Sequence, residues 1–277
     1  MDRTKLQNPE EINRQMYRFD RCYTPLSSLN DFTEEHVKAY REQGFIAIDQ
    51  VLQKGEVEAS VSAIMEVMFD LETKAKIQFT KPQHELTSDV ERELAVRKVS
   101  EFVDVHTALH AAAYHPSILS VVERLLGGPV KLAQDQALLK PPYGGGEKPW
   151  HQDMAYGNLS YEKAVVGVWI ALDNAGLGNG CMHVIPQSHR DGGVPHYAVR
   201  DWQICDRYVP VEEDVAIPLN PGGALFFHGL LYHGTPFNFS THRRRALQFH
   251  YAPSEAQKMS PGEYKRMFTN ELTNAEC

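Results

Sequence analysis

The sequence predicts an α+β domain, mainly β, with helices first and a block of strands after them, the second half closing as a β-sandwich or open barrel. Three observations predict it. Before residue 128 apolar residues recur at helical spacing. After Pro129, short apolar runs are separated by the turn clusters PPYGGG, NAGLGNG, PQSHRDGG and NPGG, and no helical period of useful length intervenes. The length, 277 residues, is long for one core but normal for a single all-β or mixed barrel domain with helical additions, and the 42% hydrophobic content is enough for a real core. The expectation is a single domain over 1–277, with a helical part at 31–128, a β core at 129–253 and a C-terminal tail at 254–277.

Residues 1–30 are polar and irregular. A helix is predicted from Thr33, which can cap it, to Gly44, which can end it; Glu34 and Glu35 suit its positive first turn. FIAIDQVL (45–52) reads as a strand. A second helix is predicted over 56–74, where Val57, Val61, Ile64, Met65, Met68 and Leu71 share a face. Residues 75–100 are charged and ambiguous. A third helix is predicted over 116–126, with Pro116 in its first turn and Gly127-Gly128 as its stop. The predicted strands are 130–140, 164–172, 181–185, 214–218, 223–228 and 244–252.

Formal net charge is −8, which argues against a nucleic-acid partner because phosphate binding needs a basic surface. Cys22, Cys181, Cys205 and Cys277 form no CxxC pair and read as reduced thiols, so the expected compartment is the cytoplasm. The N-terminus shows no apolar signal-peptide core, TNAEC at the C-terminus is not a recognisable targeting signal, and no apolar run reaches membrane-spanning length. No membrane partner is expected, and the oligomeric state is not legible.

Trp150-His151-Gln152-Asp153 is the first sign of chemistry. Two residues apart on an extended chain, His151 and Asp153 point to the same side, where an imidazole nitrogen and a carboxylate oxygen can meet one metal. A second histidine would complete the two-histidine, one-carboxylate face that marks non-haem iron(II) oxygenases and leaves open positions for other ligands. An HxD alone is a weak signal, since a surface pair near a turn has the same spelling. The stretch 221–253 adds context: strand, short excursion, strand, carrying His228, His233 and then an arginine cluster. A guanidinium beside such a metal can neutralise the far carboxylate of a chelating organic acid.

In these residues the chain resembles the phytanoyl-CoA dioxygenase family. The motifs are KPP (140–142), WHQD (150–153), VVGVWIAL (165–172), NGCMHVIPQSH (179–189), GALFFHGLLYHGTPFN (223–238) and RRA (244–246), covering about residues 98–253 in order. The resemblance implies a double-stranded β-helix (jelly-roll, cupin-like) core with the N-terminal helices packed on it. It implies Fe(II), with 2-oxoglutarate and O2 as cosubstrates, and hydroxylation of a small molecule as succinate and CO2 form. By the same resemblance His151, Asp153 and His233 are the catalytic metal ligands. Arg244, eleven residues beyond His233, and Thr235 bind the far carboxylate of 2-oxoglutarate; Trp169 lies in the cosubstrate pocket; Lys98 and Gln136 align with two further contacts. Because Asp153 is present, the resemblance implies hydroxylation or desaturation rather than halogenation. One departure is IPQSH (185–189), with Gln187 where the family often has glycine, which puts the turn geometry there in question.

Alternatives stay open at this level. His228 competes with His233 as the third ligand, and ends an apolar strand as a packed histidine would. Arg243 and Arg245 alternate away from Arg244. Lys98 reads equally as a surface lysine, and Trp169 as core. His183, His189, His242 and His250 read as structural or surface groups. A cupin-like protein holding zinc or manganese for other chemistry, or a non-catalytic binding module, could carry the same histidines. Only a 2-oxoglutarate enzyme requires Arg244. The segment 187–213, with Arg190, His196, Arg200, Trp202 and Arg207, reads as a lid or wall suited to an anionic or amphipathic molecule, or as a solvated loop.

Overall fold

The apolar run of strand β6 (Val166–Ala171) is buried at every position, which identifies a strand covered on both faces. Alternation sorts its side chains. Val166, Val168 and Ile170 join one core, and Trp169 and Ala171 join another. The same division holds in β11 (Ala224–His228), with Ala224 and Phe226 on one side and Leu225 and Phe227 on the other. Strand β13 (Arg244–Pro253) pairs antiparallel with β6 and with β4 (Val130–Lys140), so β6, β11, β13 and β4 lie in one sheet.

That sheet has seven strands in the order β1-β11-β6-β13-β4-β3-β2, where β1 is Phe45–Ile48, β2 is Lys76–Phe79 and β3 is Val96–Ser100. A second sheet faces it in the order β10-β7-β12-β5, formed by β5 (Lys148–His151), β7 (Met182–Val184), β10 (Val215–Ile217) and β12 (His233–Thr235). Strands β8 (His196–Ala198) and β9 (Trp202–Ile204) form a separate hairpin. The expected jelly-roll core with helices on it is therefore the observed architecture. This is a computed structural model, and it describes residues 8–272 and 276–277; the readings of the first seven residues and of 273–275 within TNAEC lie outside them. Among the described residues no helix is long and apolar enough to cross a membrane.

Helices cover the outer face of the large sheet. Helix α2 (Glu34–Gln43) starts at Thr33 and stops at Gly44, whose φ of 86° is left-handed; a Cβ there would lie 2.5 Å from His189 Nδ1. Helix α3 (Lys54–Phe69) ends five residues before the predicted limit, leaving Leu71 exposed. Helix α6 (Pro116–Leu126) spans the predicted range, with Pro116 at its start and Gly127 as its left-handed cap. It buries Ile118, Val121, Val122 and Leu125, each contributing about 1.5–3 kcal/mol of burial against the sheet.

Several elements differ from expectation. Helix α1 (Pro9–Met16) occupies the stretch read as irregular; Asn8 caps it and only Ile12 and Met16 are buried, too few for a helical period to stand out. Besides the expected strand β1, the part expected to be helical, 31–128, contributes β2 and β3 to the large sheet and helices α4 (Asp89–Ala95) and α5 (Thr107–Ala113). The tail expected at 254–277 contains helix α7 (Pro261–Phe268), capped by Ser260 and anchored by Phe268.

The cysteine reading is corrected for one pair. Cys205, just past β9, forms a disulfide with Cys277 across 72 residues, with Cα atoms 5.4 Å apart; Cys22 and Cys181 are free. Chain spacing carries no information about a pair brought together by the return of the C-terminus.

Candidate metal centre

Strands β5 and β12 place His151 and His233 directly opposite each other as an antiparallel pair. Their rings lie 4.2 Å apart between centroids. Asp153 follows β5 at the start of a short 3-10 turn, and its Oδ1 stands 3.4 Å from His151 Nε2 and 3.5 Å from His233 Nε2. One ligand atom from each of the three residues lies within 4.8 Å of the others, and all three residues are buried. Among the described residues no other histidine, cysteine or carboxylate cluster meets that condition. Adjacent ligands about 2.1 Å from one metal ion stand about 3 Å apart, so a small closure would bring all three onto one ion.

The hydrogen bonds behind this cluster leave the right atoms free. His151 Nδ1 lies 2.8 Å from the Pro149 carbonyl and His233 Nδ1 2.9 Å from the Leu231 carbonyl. Each Nδ1–H therefore donates to backbone, and each Nε2 lone pair faces the cluster. Burial, then the neighbouring His233, pushes the His151 pKa down to about 4, so the ring is neutral near pH 7. Burial would raise the Asp153 carboxyl, but the neighbouring imidazoles, His233 first and His250 next, hold it well below the usual carboxylate range. Two imidazoles with Nε2 turned inward and one carboxylate form a donor set suited to a divalent metal.

Strand β13 supplies the rest. Alternation carries Arg244, Ala246, Gln248 and His250 on its inner face. Gln248 Nε2 donates to Asp153 Oδ2 at 3.0 Å, and His250 Nε2 to the same oxygen at 2.7 Å. Asp153 is thereby divided, with Oδ2 fixed by protein donors and Oδ1 turned to the histidines.

Arg244 is 2% exposed and makes no ion pair among the described residues. Its Nε has no partner, its Nη1 reaches only the Leu138 carbonyl at 3.4 Å, and burial lowers its pKa to about 10. A buried guanidinium left this way is costly unless an anion completes it. It faces a chamber of about 600 Å³ that also borders His151, Asp153 and His233. Donor set and unpaired guanidinium together fit a metal chelated by a dicarboxylate.

The structure places the other expected residues around this chamber. Thr235, Gln136 and Lys98 line it. Trp169 does not; it sits fully buried behind Arg244, whose guanidinium carbon is 5.3 Å from the ring centroid, and its Nε1 has no partner. His228 is apart from the cluster, 5.1 Å from His189. Arg243 pairs with Glu93, and Arg245 holds Asp173 with bonds of 2.7 and 2.9 Å, so both turn away from Arg244. In the 187–213 segment, His196 accepts the Gln152 N–H at 2.9 Å and Trp202 donates to the Ala155 carbonyl at 2.9 Å. Of this segment Arg200 and Asp201 line the chamber, while Val199 and Tyr208 stay exposed.

Several residues at the site were not singled out from sequence. His250 and Gln248 share parity with Arg244 on one strand, and that parity was the available signal. Lys148 and Tyr156 flank the HxD motif. Lys148 Nζ is 2.5 Å from the Tyr156 hydroxyl, and the Tyr156 ring meets His151 edge-on at 5.8 Å.

Comparison with known proteins agrees with the motifs. The phytanoyl-CoA dioxygenase (PhyH) family matches residues 40–246, well over half of the chain. This chain belongs to the phytanoyl-CoA dioxygenase family. Among similar relatives of this family member is phytanoyl-CoA dioxygenase domain-containing protein 1 of Danio rerio, 28% identical over 278 residues that span 84% of this chain and 94% of that protein. Among solved structures, the fold resembles the non-haem α-ketoglutarate-dependent carbocyclase SnoK from nogalamycin biosynthesis, with a TM-score of 0.66, 24% identity and coverage of 88% and 94% of the two chains. It also resembles the epimerase SnoN in complex with Fe3+, α-ketoglutarate and nogalamycin RO, with a TM-score of 0.64, 21% identity and coverage of 83% and 86%.

Proposed function

We propose that this protein is an iron(II)- and 2-oxoglutarate-dependent dioxygenase that hydroxylates a small molecule, converting 2-oxoglutarate and O2 to succinate and CO2. The observation that carries the reading is the juxtaposition of the buried His151, Asp153 and His233 with the unpaired, buried guanidinium of Arg244 in one chamber. A zinc or manganese protein doing other chemistry would have no use for that guanidinium.

In this reading His151 Nε2, His233 Nε2 and Asp153 Oδ1 hold the iron on one face. Arg244 and Thr235 receive the far carboxylate of 2-oxoglutarate, Lys98 and Gln136 add contacts along the wall, and Trp169 stiffens Arg244 from behind. The bound iron supplies the oxidising chemistry, using O2 and the electrons released as 2-oxoglutarate loses CO2. The protein would hold the target C–H close to the metal and limit water behind Arg200 and Asp201 of the β8–β9 hairpin. No general base is needed, and the Asp153 carboxylate stays ionised throughout because two donors face its outer oxygen. The epimerase complex named above, which holds a small molecule with 2-oxoglutarate and iron, supports a substrate of that size class.

The test begins without oxygen. Adding 2-oxoglutarate to the Fe(II) protein should produce a visible charge-transfer absorption. In air, a substrate screen should reveal succinate formation, with one 18O atom from 18O2 in the hydroxylated product. Asp153→Ala should abolish succinate formation; turnover near the wild-type rate would refute its role as ligand. Product lacking 18O but two hydrogens poorer would identify a desaturase.

A further inference from the structure

The chamber is short of negative charge. Once Arg244 and Lys98 are set aside for 2-oxoglutarate and Asp153 for the metal, Arg97, Lys140, Lys148 and Arg200 face only Glu147 and Asp201, in a chain of net charge −8. Arg200 is matched, with Nε 2.8 Å from Glu147 and further bonds to Asp206. The Lys140 ammonium turns into backbone carbonyls. Lys148 and Arg97 remain, and one carboxylate oxygen serves both. Asp201 Oδ2 lies 2.8 Å from Lys148 Nζ and 2.7 Å from Arg97 Nη2.

Asp201 comes from the tip of the β8–β9 hairpin, a separate two-stranded unit reaching over the chamber. It meets Lys148 beside the metal ligands, because Lys148 is three residues before His151 and its ammonium touches Tyr156, which packs on His151. The contact is not a buried clasp. The side chains of Asp201 and Lys148 are each 27% exposed and that of Arg97 is 45% exposed. All three groups stay within reach of solvent, so another anion can compete with Asp201 for the two cations.

We propose that the substrate carries an anionic oxyacid group, a carboxylate or a phosphate, that takes the place of the Asp201 carboxylate between Lys148 and Arg97. The inference rests on the iron and 2-oxoglutarate reading of the site. Asp201 closes the chamber with a group that imitates what the chamber receives. The anion then orients the rest of the substrate toward the iron, because Lys148 and His151 share strand β5. The cations hold Asp201 firmly ionised, with Lys148 the main lowering influence against burial, as they would a bound carboxylate or phosphate.

The test uses the full chain loaded with Mn(II), a paramagnetic stand-in for iron, and saturating 2-oxoglutarate. Proton relaxation is followed for acetate, methyl phosphate and the neutral acetamide. In the unmodified protein at least one anion should relax several-fold more than acetamide. Asp201→Asn should tighten that anion by tenfold or more, and Lys148→Met or Arg97→Gln should return it to the acetamide level. Whichever anion is held more tightly separates a carboxylate from a phosphate. Equal relaxation of anion and acetamide overturns the proposal and needs no variant to detect it. So does an anion indifferent to Asp201→Asn, as one bound directly to the metal would be. The methylene protons of 2-oxoglutarate in the same samples report the parent reading. If they do not relax, the proposed metal site fails and this inference with it; if they relax and the anions do not, only this inference fails.

Discussion

His250 donates its Nε2 proton to Asp153 Oδ2 over 2.7 Å, at a site with no exposure for the histidine. The bond fixes the tautomer, since an ionised carboxylate can only accept. His250 Nδ1 has no partner, so the bond to Asp153 is what orients the ring. Residues that orient a metal ligand in this way typically change metal affinity 10–100-fold. His250→Asn should raise the Kd for Fe(II) or Mn(II) by about that factor while the folded content by circular dichroism is kept. Unchanged metal titration curves would remove His250 from the site.

Arg244 allows a prediction with two signs. Arg244→Met should weaken 2-oxoglutarate binding by about 30- to 1,000-fold, the cost of removing one partner of a buried charge pair. The same change should leave the ligand-free protein as stable as before or more so, because it removes an uncompensated buried charge. Calorimetric titration and thermal unfolding on the same sample check both. Loss of stability together with unchanged 2-oxoglutarate binding would be the contrary result.

Burial lowers His151 and His228 to about 4 and His196 to about 3. An unfolded histidine titrates near 6.5. Between these values the unfolded chain binds protons that the folded chain refuses. Stability is therefore complete above about pH 6.5 and falls as pH drops from there toward 4. Urea unfolding should show a loss of at least about 2 kcal/mol between pH 7.5 and pH 5. A flat profile over that range would mean that these rings titrate normally.

Much of this was legible beforehand, for reasons that specific residues show. Helix α6 has a proline, an apolar stripe and a glycine stop, all local signals, and its limits agree with expectation. The strands β6 and β11 announce themselves as apolar runs because both their faces are buried. His151, Asp153, His233 and Arg244 were nameable through motif order, but their meeting depends on the pairing of β5 with β12, which no local pattern encodes. Strands β2 and β3 were obscured because Lys76, Gln78, Arg97 and Lys98 put charge and amide groups on their chamber or solvent sides. His250 was read as structural because a buried histidine on an apolar strand looks the same whatever its ring touches.

Gln187 stands where the family often has glycine, and it keeps the left-handed turn with a φ of 67°. A side chain there costs about 1–2 kcal/mol, partly offset by the entropy a glycine loses on folding. Gln187→Gly should stabilise the protein by about 0.5–1 kcal/mol in chemical denaturation, with metal binding unaltered. A destabilised variant would show that the Gln187 side chain, which accepts from Arg190, outweighs the backbone cost.

The Cys205–Cys277 bond closes a 72-residue loop. Chain-entropy reasoning gives such a closure a ceiling of about 4 kcal/mol. Thiol titration of the denatured, unreduced protein should find two groups, Cys22 and Cys181, and reduction should expose four and lower the unfolding midpoint. Four titratable thiols before reduction would count against the bond.

The strand pairing that seats His233 opposite His151 has a consequence for how such a protein tolerates change. Eighty or so residues separate the two imidazoles, yet their spacing in the folded chain is set where two short strands pair, with β7 bonded to the other edge of β12 at His233. Insertions and deletions confined to the loops and the β8–β9 hairpin within 154–232, sparing β6, β7, β10 and β11, leave the ligand atoms where they are. The stretch that shapes what enters the chamber can thus be remodelled independently of the stretch that holds the metal, so one centre can be refitted to new molecules without being rebuilt.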